Sequence, residues 1–89
     1  MKAVITVVGM DKIGIIYHVT SVLVEYDVNI LDINQTIMDD IFTMVMLVDT
    51  SKTPVPFEQL QKKLDEKGKE IGLSIRIQHE GIFKAMSEL

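Results

Sequence analysis

From Lys2 to Val8 apolar and β-branched residues occupy both sides of an alternating pattern, with Ala3, Ile5 and Val7 on one face and Val4, Thr6 and Val8 on the other. A strand apolar on both faces belongs in the middle of a sheet. Beyond Gly14 the period lengthens. Ile15, Ile16, Val19, Val22, Leu23 and Tyr26 recur at steps of three and four, while His18, Ser21 and Glu25 fall opposite. This predicts a helix that lays one face on a sheet, with Asp11 as its natural N-cap. Asn29 to Met38 returns to a strand pattern, apolar at Ile30, Leu31 and Ile33 and polar at Asp32, Asn34, Gln35 and Thr36. Its phase breaks near Ile30, so a bulge is expected there. Asp39-Asp40 then reads as a tight turn, because Asp tolerates positive φ. Ile41 to Asp49 is again apolar on both faces and therefore central.

After the loop Ser51 to Pro56, a second helix is predicted, its buried stripe formed by Phe57, Leu60, Leu64, Gly68 and Ile71. Pro56 suits a helix start and Gly72 a helix end. Gly68 on the buried stripe implies close approach of helix to sheet. Leu73 to Glu80 alternates Leu73, Ile75, Ile77 and His79 against Ser74, Arg76, Gln78 and Glu80, as a peripheral strand would. The order β-α-β-β-α-β is that of a ferredoxin-like α+β sandwich. Two doubly apolar strands and two wetter ones match an antiparallel sheet ordered 4-1-3-2, with both helices on one face. The expected domain is 2–80, followed by a C-terminal helical extension, 81–89, carrying Ile82, Phe83, Met86 and Leu89 on one stripe.

Composition narrows the function. The 89 residues, 47% hydrophobic, make one modest core of a size at which partners often add stability. No cysteine is present, which excludes disulfides, thiolate metal sites and a cysteine nucleophile. A net charge of −4 opposes a nucleic-acid partner. No apolar run approaches membrane-spanning length and no leader pattern is present, so a cytoplasmic location and no membrane partner are expected. A metal-chaperone reading lacks paired cysteines. A phosphate-hydrolysing reading lacks an arginine in the first loop, since Arg76 is the sole arginine. An RNA-recognition reading lacks exposed aromatics among three Phe and two Tyr. His18 reads as solvated and His79 as structural. No nucleophile with its base and no metal cluster emerges, so neither an enzyme nor a cofactor is expected.

What remains is the first loop, G-M-D-K-I-G-I-I at Gly9 to Ile16, where glycines lead into a helix start whose N–H groups suit a carboxylate or phosphate. With V-N-I-L-D-I at Val28 to Ile33 and the element order, it resembles the ACT domain, an amino-acid-binding regulatory module. The segments N-I-L-D-I-N-Q-T-I-M and F-T-M-V-M-L-V-D and the tail H-E-G-I-F-K-A-M are similar to small stand-alone ACT proteins of bacteria and archaea and to the ACT half of the glycine cleavage system repressor. Lys12 and Ile13 replace the Arg and Pro more frequent in that loop. The resemblance implies an effector between Met10, Asp11, Lys12, Ile13, Gly14 and Ile15 of one subunit and Asn29 and Ile30 of its neighbour. Asp11 would face the ammonium of an amino acid and the helix start its carboxylate. It also implies a homodimer or higher oligomer that reports to an enzyme or transcription regulator. The alternative is a ligand-free interaction module using the same surfaces. An apolar open sheet face would in either case ask for cover.

Overall fold

A computed structural model describes residues 1–87. Its elements run β1 (Lys2–Met10), α1 (Ile15–Glu25), β2 (Asn29–Met38), β3 (Ile41–Asp49), α2 (Phe57–Ile71), β4 (Ser74–His79) and α3 (Glu80–Ser87). The strands form one antiparallel sheet ordered β2-β3-β1-β4, the expected 4-1-3-2 order met from the other edge. Alternation decides what enters the core. Ala3, Ile5 and Val7 of β1, Phe42, Met44, Met46 and Val48 of β3, and Ile75 and Ile77 of β4 are buried with Val19, Val22 and Leu23 of α1 and Leu60 and Leu64 of α2. No helix among the described residues is long and apolar enough to cross a membrane.

β2 follows another rule. Ile33 and Ile37 pair with Met46 and Phe42 and so share the helix-side face, yet they are 44% and 49% exposed. This edge strand therefore reaches past the helix layer. The phase break at Ile30 is a bulge, visible as a register shift between Ile30 and Asp32. Asp39, at φ 55, makes the β2–β3 turn, so that Met38 pairs directly with Ile41.

α2 begins at Pro56, whose φ of −63 suits a helix entry, and ends at Gly72, whose φ of 75 is left-handed. The Gly72 N–H donates to Gly68 O, as does that of Leu73, at 2.8 Å. The predicted start of α1 needs correction. Asp11 does not cap it: the capping position is Gly14, at φ 89, and no side chain bonds to the helix start. β1 runs on through Gly9 and Met10, which pair with Phe42 and Ile41, and this carries Asp11 too far from the first turn to cap it. β4 is shorter than predicted, since Leu73 and Glu80 fall outside it.

α3 follows β4 directly and lies against β1 and β4. On the sheet face away from α1 and α2, Val4 beside this end is only 7% exposed, whereas Val8 at the far end is 44% exposed. The part of the tail expectation that rests on the side chains of Phe83 and Met86, and on Leu89, lies outside the described residues. Deleting residues 82–89 is expected to lower the melting temperature, by about 4–8 °C if the lost packing is worth about 1 kcal/mol. A truncated protein melting with the full chain in a calorimetric scan would contradict this.

Candidate functional site

The β1–α1 loop is tethered at its start by two neighbouring residues. Asp11 N–H donates to Asp40 O at 2.7 Å, tying the loop to the β2–β3 turn. Lys12 Nζ donates to Ile71 O at 2.5 Å, tying it to the C-terminal turn of α2. That bond lies where a cation is favoured, because the last carbonyls of a helix carry partial negative charge. Beyond these anchors Ile13 is fully exposed, and Ile15 is buried at 3%. Gly14 takes a left-handed conformation that other residues adopt only with strain.

α1 starts bare. It has no side-chain cap and no acidic residue in its first turn, and the first intrahelical bond is His18 N–H to Gly14 O at 3.0 Å. The N–H groups of Ile15, Ile16 and Tyr17 are thus left without intrahelical acceptors. A cleft of about 200 Å³ opens beside them, lined by Asp11, Lys12, Gly14, Tyr17, Gln35 and Phe42 among others. A second cleft of about 240 Å³ lies across the loop, lined by Lys12, Ile13, Ile15, His18, Glu70 and Ile71.

The structure brings Met10, Asp11, Lys12, Ile13, Gly14 and Ile15 together at one end of the sheet. It does not bring Asn29 and Ile30 to them within one chain. Asn29 pairs with Asp49, which pairs in turn with Lys2, so Asn29 lies beside the beginning of β1. At about 3.4 Å per residue, β2 separates the two groups by about 30 Å. Asp49, opposite Asn29, accepts from Ser51 N–H at 2.9 Å. That bond above all holds its carboxyl below the ordinary value of 3.8.

Sequence reasoning missed Tyr17, Gln35 and Phe42 on one side of the loop and Glu70 and Ile71 on the other. For Tyr17 a signal existed. Tyr17 and Val24, seven residues apart on the outer side of α1, are 71% and 76% exposed, and Ile13 in the loop before the helix is 101% exposed. Apolar residues on an outward stripe mark contact with something beyond the chain's own core. His18, expected to be solvated, is half-buried, its ring 5.5 Å from that of Tyr17 in an edge-on arrangement. His79 packs edge-on against Phe57 at 4.1 Å, in the structural role expected of it. Among the described residues no group of His, Cys, Asp and Glu could hold a metal ion.

Known proteins place this geometry. A family model described as ACT domain matches residues 2–78. A UPF0237 protein of Clostridium acetobutylicum is 56% identical over 89 residues, the full length of both chains. The solved ACT domain protein from Streptococcus pneumoniae is 41% identical, with a TM-score of 0.81 over 93% of each chain. A structure described as a glycine cleavage system transcriptional repressor is 25% identical, with a TM-score of 0.73 over 86% of this chain and 43% of its own. The chain belongs to the ACT domain family, whose members are in general small-molecule-binding regulatory modules.

Proposed function

We propose that this chain is a cytoplasmic regulatory module, not an enzyme, that binds an α-amino acid and works as a homodimer joined along β2. The observation that carries this reading is the uncapped start of α1. Three unpartnered N–H groups beside a cleft of about 200 Å³ form a receptor for a carboxylate. The dimer supplies the rest. β2 is an edge strand of ten residues, and an unpaired edge is a template for another strand. Antiparallel pairing of two β2 strands about a twofold axis sets Asn29 and Ile30 of one chain near the β2–β3 turn of the other. That turn holds the first loop through the Asp11–Asp40 bond. The residues that a single chain keeps about 30 Å apart are thereby joined across the interface.

The test is calorimetric titration with the common amino acids, on the parent and on Gly14→Val. The substitution forces a β-branched residue to φ 89, at a cost of roughly 1–3 kcal/mol, and puts its side chain against the His18 ring at the helix start. Binding is expected to be lost while the folded state persists. Unaltered binding by the variant would remove the loop from the site. If no amino acid binds the parent while the dimer forms, the surfaces serve association alone. By analogy with the repressor relative, the listener is an enzyme or a transcription regulator.

A further inference from the structure

The cleft on the other side of the loop is a different chemical object, built wholly from one chain. Lys12 reaches into it from the loop, His18 from α1 and Glu70 from the last turn of α2, while Ile13, Ile15 and Ile71 supply apolar walls. The Lys12 ammonium spends one hydrogen on Ile71 O and has no carboxylate partner among the described residues. Two N–H donors remain. His18 makes no side-chain hydrogen bond among the described residues. A Cβ placed on Gly14 would lie 3.6–3.8 Å from the imidazole edge, in ordinary contact, so His18 borders the loop at that point.

Opposite these donors stand acceptors. Glu70 presents a carboxylate, 63% exposed and shared with Lys67 at 3.1 Å. Beside it, the carbonyls of the final turn of α2 are only partly used: Gly68 O takes two N–H groups and Ile71 O takes Lys12. The last carbonyls of a helix lack intrahelical donors and favour a cation. The cleft therefore holds the Lys12 ammonium and the His18 imidazole as donors and the Glu70 carboxylate as acceptor around an apolar floor. A simple anion would meet Glu70, and a simple cation would meet Lys12. A zwitterion meets neither penalty. The volume of about 240 Å³ falls below the ~300–1,000 Å³ usual for larger ligands and cofactors, which restricts the occupant to a small metabolite.

We infer that this cleft is a second, intrachain site for an apolar α-amino acid, with its carboxylate on Lys12 and His18 and its ammonium on Glu70. Its side chain lies against Ile13, Ile15 and Ile71. Occupancy adds a bridge between the first loop and α2 to the single hydrogen bond that now joins them. The inference shares its ligand class with the proposed function but not its location, because it needs no second chain.

Backbone-amide NMR titrations of the full chain with L-leucine, isocaproate and isoamylamine separate the contributions. Leucine is expected to shift the amides of Lys12, His18, Glu70 and Ile71 saturably, and each single-charge analogue to bind at least tenfold more weakly. Lys12→Met and Glu70→Gln should each weaken leucine at this site by tenfold or more. His18→Leu, which keeps the bulk and removes the donor, should weaken it less. Asn29→Ala, at the interchain site, should leave these shifts unchanged. Isocaproate binding as tightly as leucine, or leucine binding indifferent to Glu70→Gln, would overturn the inference. So would shifts confined to Gly14–Tyr17 and Asn29–Ile30, which would leave the interchain reading standing alone. Shifts at the intrachain cleft with none at Asn29 would do the reverse.

Discussion

Replacing Gly68 by Ala is expected to lower the melting temperature by roughly 8–16 °C, the reverse of what the same exchange does in most helices. In an exposed helix interior, Gly to Ala gains about 1 kcal/mol. Here a Cβ at position 68 would stand 2.6 Å from Leu73 O and 3.3 Å from Ile75 N. These are backbone atoms at the entry to β4, so no side chain can rotate out of the way. Either α2 retreats from the sheet or the Leu73–Ile75 backbone moves, and both loosen the packing of Leu64 and Ile75 in the core. Overpacking of this kind costs about 1–3 kcal/mol and occasionally more. Taking about 3 kcal/mol against the helix gain leaves about 2 kcal/mol, at about 4–8 °C per kcal/mol for a domain of this size. Gly81 serves as the control, because nothing lies within 4 Å of its added Cβ. Thermal unfolding followed by circular dichroism decides it: Gly68→Ala melting at or above the parent would refute the close approach of α2 to β4.

That close approach was legible in the sequence because Gly68 interrupts an otherwise apolar stripe, and Gly72 was legible because only a left-handed terminus explains a glycine there. The sheet order followed from counting apolar faces. Two strands were apolar on both and two were wetter, which puts the first and third in the middle, and the β-α-β-β-α-β element order then selects 4-1-3-2. The start of α1 was misjudged for a physical reason. Asp11 has the right side chain for a cap, but β1 continues two residues further than its apolar pattern, and Gly14 provides the turn by backbone conformation alone. Side-chain chemistry is visible in a sequence, whereas the length of a strand that ends in Gly-Met is not. The role of Lys12 was equally hidden, since its acceptor on Ile71 lies 59 residues away. The candidate loop was marked out in the sequence by its glycines. Their division into two clefts depends on what packs on each side, Gln35 and Phe42 on one and Glu70 and Ile71 on the other, and no local pattern encodes that.

Changing Ile33 and Ile37 together to Lys is expected to convert a dimer into a monomer with little change in the melting temperature of the folded chain. The side chains are 44% and 49% exposed, so in the isolated chain the substitution places lysines largely where water already is. At a β2–β2 interface it does much more. A register with Gln35 on the twofold axis sets Ile33 of one chain across from Ile37 of the other, on the face shared with α1. Full burial of an aliphatic side chain is worth ~1.5–3 kcal/mol. About half of each isoleucine is still available, giving roughly 1 kcal/mol apiece and roughly 4 kcal/mol over four side chains. Four lysines facing one another add repulsion to that loss. At 1.4 kcal/mol per decade, association should weaken at least a thousandfold. Sedimentation across a concentration series measures this directly. The open sheet face makes the competing prediction, because Val8, Met10, Met38 and Ile41 are 44–70% exposed at its loop end. A Val8→Lys, Ile41→Lys variant should leave the mass unchanged if β2 carries assembly. If that variant dissociates and the β2 variant does not, the dimer forms through the open face. The β2-mediated route from Asn29 and Ile30 to the first loop would then be lost, and the cleft within one chain would be the remaining candidate for the proposed amino-acid site.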